Sequence, residues 1–300
     1  MKSETEKSAS RRKLVYATVV VIVILVSTMA LFNSYLHPDS QAKAAIIDQL
    51  SSSKLSTISR HQNQTFIAEA QDLLQTRFAE VDYYSDNATV DNYRILPSLG
   101  YKLIIWRAHT ALDLNSKYIA ISTSERYGSK SYDQYSNDQL TLCNITDDPR
   151  LYFAITPKFI EECMDGRFKD TVIILMSCNG LKSGYGKTAE ALVQKGAKIL
   201  VSWNDWIDSS DNDDAITLFL QRLIVQNSTI GEAVAQAPKY DSSLYGPNGT
   251  KLDYYPHNEV AGYRIPDYRE NNMTTSAGLA LSPINRKTKA ASTGNQKFKQ

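Results

Sequence analysis

Short, unbroken runs of apolar residues recur along the chain, and the clearest of them covers residues 172–176. Such a run is too short for a helix, and its β-branched residues suit a strand that is buried on both faces. The run stops at a small, polar group around Cys178, and a helical pattern opens at residue 188. We therefore expect Cys178 at the carboxyl end of a central strand, which is the edge where open α/β sheets bind ligands.

A second apolar run, residues 101–106, leads in the same way to His109. If the two strands are parallel neighbours, His109 and Cys178 emerge at the same edge of the sheet. An imidazole beside a thiol can draw it towards the thiolate, which is the nucleophilic form. The pair therefore predicts nucleophilic catalysis. The alternative is a hydrogen-bonded structural histidine and a small buried cysteine.

The rest of the pattern alternates between short strands and helices. Strands are predicted at residues 93–96, 118–122, 151–155 and 197–203, and helices at residues 42–50, 66–81, 156–163, 187–195, 216–225 and 230–237. Residues 123–149 are expected to be a long polar insertion near the functional edge, and residues 239–270 a β-hairpin or an ordered loop. This order predicts an α/β protein with a mainly parallel sheet, flanked by helices and joined by right-handed crossovers.

One transmembrane helix is predicted to precede this domain, at residues 14–32. Its nineteen residues carry no charge and would span about 28 Å as a helix, enough to cross a bilayer core of roughly 30 Å. Three basic residues precede the segment, and no Lys or Arg follows it before Lys43. The positive-inside rule therefore places the amino terminus in the cytoplasm and the rest of the chain outside it. A cleaved signal peptide is the competing interpretation.

The predicted elements divide the chain into six parts. These are a cytoplasmic tail (1–13), the membrane helix (14–32), a linker and helical segment (33–81), an α/β domain (82–237), a Tyr-rich extension (238–284) and a disordered tail (285–300). The pattern leaves open whether residues 41–81 form a separate helical stalk or belong to the α/β domain.

Composition narrows the class of protein further. A net charge of +1 argues against a nucleic-acid partner, which would require a basic face. Of the three cysteines, we expect Cys143 and Cys163 to pair, if any do, and Cys178 to stay free. Six Asn-x-Ser/Thr sequons fit an extracytoplasmic glycoprotein. They stand at Asn63, Asn87, Asn144, Asn227, Asn248 and Asn272.

Two further motifs have competing interpretations. The glycines between residues 180 and 188 resemble a phosphate-binding loop, but Leu181 stands where the first glycine is required. We favour a flexible wall beside Cys178. The second motif is an acidic cluster that could bind calcium, or could cap a helix and offset its dipole, which we favour. Its members are Asp208, Asp211, Asp213 and Asp214. No metal or cofactor is predicted.

Two blocks of sequence, residues 103–109 and 172–178, followed by a third at 188–203, carry a family resemblance. A hydrophobic strand ending in His and a second one ending in Cys resemble the caspase-like (clan CD) cysteine peptidases, nearest to gingipains, clostripain and the CHAT domains. The resemblance covers about residues 80–237. It implies a caspase-like three-layer sandwich that hydrolyses peptide bonds in proteins or peptides outside the cell, with Cys178 as nucleophile and His109 as general base.

The resemblance also implies roles for other residues. Backbone N–H groups of Cys178 and Thr110 would hold the oxyanion. Residues after the third block would line the substrate pocket, where an acid, Asp205 or Asp208, could select Arg or Lys; these pocket residues are Trp203, Asn204, Asp205 and Asp208. The family usually has glycine where Thr110 stands. This departure leaves open a catalytically inactive binding module on the same fold, and a structural cell-surface protein is a further alternative.

Overall fold

The computed structural model describes residues 16, 18–29, 42–55, 61–145, 148–243, 245, 248–257 and 259–269. The predicted cytoplasmic tail (1–13) and C-terminal tail (285–300) lie outside the described residues.

The strands, in chain order, are β1 (Lys43–Asp48), β2 (Glu80–Tyr84), β3 (Leu103–Arg107), β4 (Thr110–Asp113), β5 (Tyr118–Arg126), β6 (Leu140–Asn144), β7 (Leu151–Ile155), β8 (Thr171–Met176), β9 (Ala197–Trp203), β10 (Lys239–Tyr240) and β11 (Thr250–Tyr255). From residue 42 onward, the α-helices are α1 (Gln64–Gln75), α2 (Val90–Ile95), α3 (Asp133–Ser136), α4 (Pro157–Glu162), α5 (Lys187–Gln194), α6 (Ser209–Leu220) and α7 (Ile230–Ala235). Short 3-10 turns lie at Gln49–Ser51 and Leu96–Leu99, and a π-helical segment at Gln221–Val225 continues α6.

A seven-stranded sheet organises these elements, in the order β10-β11-β9-β8-β3-β1-β2. The strands from β9 to β2 are parallel, whereas β11 and β10 add to β9 in antiparallel fashion. A second, four-stranded antiparallel sheet has the order β4-β5-β7-β6. The predicted α/β fold with a mainly parallel sheet flanked by helices is confirmed.

Helices cover both faces of the large sheet, which explains its unbroken apolar strands. Successive residues of β3 point to opposite faces. Ile105 packs in the core that holds Phe66 of α1 and Phe219 of α6. Ile104, on the other face, belongs to the core that holds Phe159 of α4. A strand covered on both sides has no polar face to alternate with.

The segment before α1 differs from its prediction. The helix predicted at residues 42–50 is instead strand β1, followed by a 3-10 turn. β1 pairs with both β2 and β3, next to the edge strand of the parallel region. Short apolar runs fit a buried strand as well as a helix, and here the sheet's need for a strand decided the outcome. The structure therefore places this segment inside the sheet.

Two other boundaries also differ. The helix predicted at residues 66–81 ends at Gln75, and the chain re-enters the sheet as β2. The strand predicted at residues 93–96 is the end of α2 and the start of a 3-10 turn. The Thr89 side chain accepts a hydrogen bond from the Asn92 backbone N–H (3.3 Å) and caps α2, a start signal that outweighs the short apolar pattern.

The long polar insertion predicted at residues 123–149 contains more regular structure than expected: the end of β5, the helix α3 and the strand β6. The predictions for β7 and β9 match the observed bounds. Thr156 caps α4 with Pro157 in its first turn, as expected. The hairpin predicted within residues 239–270 is β10 and β11, and it extends the large sheet.

Residues 18–29 form a helix whose apolar side chains between Val19 and Val26 are each more than half exposed. Within the described part of the chain, no helix combines the length and apolarity needed to cross a membrane. Residues 14, 15, 17 and 30–32 of the predicted span lie outside the described residues.

The turn between α5 and β9 depends on Gly196, which has a φ of +107°. A Cβ at this position would lie 2.3 Å from the Phe168 carbonyl oxygen. We therefore expect Gly196→Ala to lower the free energy of unfolding by about 2–3 kcal/mol, combining a backbone penalty with a clash. Urea unfolding of the full chain, followed by tryptophan fluorescence, measures the loss.

Gly184→Ala is the matched control. Gly184 also has a positive φ, +80°, but a Cβ at this position would have no other atom within 4 Å. The Gly184→Ala variant should therefore lose only the backbone contribution to the free energy of unfolding, about 1 kcal/mol. Equal losses in the two variants would contradict the proposed clash.

Candidate active site

The pocket at the carboxyl edge of the large sheet contains both His109 and Cys178. β3 and β8 are adjacent and parallel, with Arg107 opposite Met176. Each candidate residue follows its strand end by two positions, so both emerge at the same edge. The other lining residues are Leu50, His61, Ala108, Met176, Ser177, Trp206, Ile207, Asp208, Ser209 and Asn212. The structure brings the pair together, and their chemical roles remain predictions.

Backbone hydrogen bonds hold His109 in place, and one of its ring nitrogens is buried without a hydrogen-bond partner in the part of the chain that the structure describes. Its N–H donates to Gln49 Oε1 (3.1 Å), and its carbonyl accepts from the Ser122 N–H (2.9 Å). The buried Nε2 has no hydrogen-bond partner among the described residues. Burial first, then His61, then Arg107, lower the pKa of His109 to about 4. The imidazole is therefore neutral at pH 7 and can accept a proton.

Cys178 is half-buried, and its thiol donates to the Ile207 carbonyl oxygen at 3.4 Å. Burial raises the pKa of this thiol, and the negative charges of Asp208 and Asp205 raise it further. At neutral pH the side chain is therefore a thiol. The site pairs a neutral thiol with a neutral imidazole, and not a preformed thiolate with an imidazolium.

The turn that carries Cys178 is fixed against β9 and the loop that follows it. The Asn179 N–H donates to the Asp205 carbonyl, and the Leu181 N–H to the Trp203 carbonyl, each at 2.9 Å. A Cβ on Gly180 would lie 1.9 Å from Ser202 Oγ, so only glycine allows this approach. The stretch predicted to be a flexible wall is, at Gly180, a tightly packed turn.

Thr110, the predicted oxyanion donor, is the first residue of β4. Its hydroxyl donates to the Cys178 carbonyl oxygen. This bond ties the segment after β3 to the segment after β8. The role of the Thr110 backbone N–H in binding an oxyanion stays a prediction.

Of the four residues predicted to line the substrate pocket, only Asp208 does so among the described residues. Trp203 is fully buried on the helix-covered face of the sheet, and its Nε1 donates to Asn212 Oδ1 (2.8 Å). Asn204 and Asp205 line a neighbouring polar depression, where Asp205 pairs with Lys182 (2.9 Å). The last residue of β9, Trp203, therefore points into the core, and its role in substrate binding stays a prediction.

Residues that the sequence did not indicate complete the pocket. His61 lies edge-on to His109, with ring centroids 5.2 Å apart and an interplanar angle of 85°. It precedes α1 and carries no motif. Trp206 is half exposed at the pocket, just beyond the predicted run of residues 203–205. Extending that run by one residue would have included it.

Arg107 is a fully buried cation whose hydrogen bonds support the site. It donates to both Asp213 oxygens (2.8 and 2.7 Å), to Asp48 (2.9 Å) and to the His61 carbonyl (2.6 Å). Burial alone would lower the pKa of Arg107, but the two carboxylates raise it above its ordinary value. The guanidinium thereby links β3 to the end of β1, to α6 and to the segment carrying His61.

Cys143, Cys163 and Cys178 are all free, which agrees with the expectation for Cys178. Cys143 lies in β6, where it is buried and donates to Ser122 Oγ (3.0 Å), whereas Cys163 follows α4. The two residues expected to pair if any did therefore occupy different elements and form no disulfide.

The glycine-rich stretch that resembles a phosphate-binding loop and the acidic cluster both contain residues with structural roles. The Thr188 hydroxyl is buried and donates to the Ile119 carbonyl (2.6 Å), which removes it as a phosphate-loop ligand. Asp208 caps α6, Asp213 pairs with Arg107, and Asp211 accepts from the Tyr245 hydroxyl. The favoured interpretation, capping and dipole offset, describes Asp208 and Asp211, which lies in the first turn of α6, whereas Asp213 serves as a partner of Arg107. Across the described ranges, no group of His, Cys, Asp and Glu is arranged to hold a metal ion.

No protein-family model and no curated protein matches this chain. The resemblance to caspase-like peptidases therefore stays a prediction that rests on the sequence blocks.

Arg107→Met should lower the free energy of unfolding by about 3–5 kcal/mol, because it leaves two carboxylates buried without their cation. The matched control is Arg150→Met. Arg150 pairs with the buried Asp148, but its side chain is 25% exposed, and Asp148 also accepts from the Tyr152 hydroxyl. We expect a loss of about 1 kcal/mol there. Urea unfolding of the full chain compares them, and a loss at Arg107 no larger than the control's would refute the supporting role.

Proposed function

We propose that the chain is a cysteine endopeptidase of caspase-like fold, with Cys178 as nucleophile and His109 as general base. One observation carries the proposal. The two residues follow the ends of adjacent parallel strands and line one pocket. The buried Nε2 of His109 has no hydrogen-bond partner within the described structure. A neutral imidazole and a thiol in one pocket are the groups that acyl transfer to sulfur requires at a minimum: a base and a nucleophile.

The neutral pair implies that proton transfer accompanies attack. As the substrate carbonyl enters, the thiol leaves the Ile207 carbonyl, its sulfur bonds to the carbonyl carbon, and its proton passes to His109 Nε2. His109 then gives this proton to the departing amine, which leaves an acyl-enzyme. Water, deprotonated by His109, hydrolyses the thioester and restores the thiol.

Two other parts of the site belong to the proposal. Backbone N–H groups of Cys178 and Thr110 hold the oxyanion, where a fixed donor is typically worth about 3–4 kcal/mol. Asp208 selects a substrate residue with a positive side chain, Arg or Lys. It is favoured over Asp205 because it lines the pocket, whereas Asp205 already pairs with Lys182.

A second candidate is a binding module without catalytic activity. The raised pKa of the Cys178 thiol and its hydrogen bond to Ile207 favour a resting cysteine. The threonine after His109 favours the same conclusion. In this case the pocket would bind a peptide without cleaving it.

Thiol-directed peptide probes distinguish the two candidates. We expect acyloxymethyl ketones with Arg or Lys at the cleavage position to label Cys178 of the full chain faster than a probe with Ala. His109→Asn should slow labelling about 100-fold or more, the usual effect of losing a general base. Mass spectrometry of the adducts gives the site and the rate.

Cys163→Ser is the matched control, since Cys163 is half-buried but lies outside the pocket. In this variant the probe should label Cys178 at the wild-type rate. Labelling of Cys178 that is absent, or that is equally fast in His109→Asn, would support the binding module instead.

We also propose that residues 14–32 anchor the protein in a membrane, with the α/β domain outside the cytoplasm. The exposed apolar side chains of the helix at residues 18–29 and the three preceding basic residues support this. The full chain should stay in the membrane pellet after an alkaline carbonate wash, and Val21→Arg/Leu25→Arg should release it, because two charges oppose burial in lipid. Wild-type protein in the supernatant would contradict the anchor.

A further inference from the structure

We propose that His61 is a positioning residue of this site, which takes the first proton of the His61–His109 pair and thereby keeps His109 available as a base in mildly acidic solution. The inference rests on the proposed function, because it assigns His61 a task in the same reaction.

The geometry makes the two rings compete for one charge. Both line the pocket, their centroids are 5.2 Å apart, and the rings are nearly perpendicular. At this separation a charge on one imidazole disfavours a charge on the other. The pair therefore titrates in two steps, and the partners of each ring decide which one is charged first.

The hydrogen-bond partners favour His61 as the first to be charged. Its Nδ1 lies 3.2 Å from Ser209 Oγ, which can accept from a protonated ring. A proton on His109 Nε2 would instead be buried without an acceptor in the described structure, which is a costly arrangement for a charged donor. The pKa of His109, lowered to about 4 by burial first and by His61 second, agrees with this order.

The charged groups around the two rings are consistent with this order of protonation. The positive charge of Arg107 disfavours a proton on His109. Two carboxylates, Asp48 and Asp213, hold the Arg107 charge. Arg107 also donates to the His61 carbonyl (2.6 Å), which fixes the backbone from which the His61 ring projects.

Two features of α6 act on His61 in opposite directions. Ser209 is the first residue of this helix, whose amino end disfavours a nearby positive charge. Asp208, the capping residue, lines the same pocket and supplies a compensating negative charge. The thiol of Cys178, the remaining titratable group of the pocket, is neutral in this range because its pKa is raised.

The test uses His61→Phe, which keeps an aromatic edge against His109 but cannot carry a charge. In the full chain labelled at histidine, ring-nitrogen NMR shifts should show His109 titrating with a midpoint near 4 in the wild type. In His61→Phe this midpoint should rise by about one unit, since the competing charge is lost. His257→Phe, at a 57% exposed side chain outside the pocket, is the matched control and should leave the midpoint unchanged.

Alkylation of Cys178 by iodoacetamide provides the functional readout. At pH 5 the rate in His61→Phe should fall about twofold, because about half of the His109 rings would then be protonated. At pH 8 it should equal the wild-type rate. An unchanged His109 midpoint, or an equal loss at both pH values, would overturn the positioning role.

The proposed function can fail separately. If alkylation of wild-type Cys178 is as fast as in His109→Asn, the thiol–imidazole pair is not active. The NMR titration still decides whether His61 takes the first proton.

Discussion

The arrangement of the pocket depends on one buried cation. Arg107 is the last residue of β3, and it is fully buried with carboxylates from β1 and α6. A guanidinium in such a position requires partners on several sides, because an uncompensated charge in the interior is very costly. Satisfying it brings together a strand end, a helix and the segment that carries His61. The same interaction thus fixes the fold and places a second imidazole beside His109.

The imidazole of His109 and the thiol of Cys178 are held in their neutral forms at pH values where the same groups, free in water, would be closer to ionising. His109 is half-buried near a cation and another imidazole, whereas Cys178 is half-buried near two acids. Both environments favour the uncharged forms. A site built in this way leaves the thiol unreactive in the absence of a substrate, since thiolates are the species that oxidants and alkylating agents attack.

The sequence predicted the parts of this architecture that are encoded locally. β8, β9 and the cap of α4 follow from unbroken apolar runs and from a Thr-Pro start signal. β1 was missed, because a short apolar run such as residues 44–47 fits a helix or a strand equally well until its neighbours are known. The inward position of Trp203 could not be predicted for a related reason, since the face on which a strand's last residue lies depends on register.

Other parts had no local signal. The contacts of Arg107 with Asp48 and Asp213 join residues 59 and 106 positions apart. His61 belongs to a stretch whose composition indicates only a helix start. Long-range ion pairs of this kind follow from the packed sheet, so a single sequence predicts them only after the topology is known.

The position of β1 has a consequence for how the molecule would face a membrane. The chain enters the parallel sheet at Lys43, the amino end of β1, whereas the pocket lies at the carboxyl edge. With an anchor that ends at residue 32, the intervening residues could reach at most about 35 Å. If the proposed anchor holds, the chain joins the sheet at the edge opposite the pocket, so the point of attachment leaves the mouth of the pocket unobstructed.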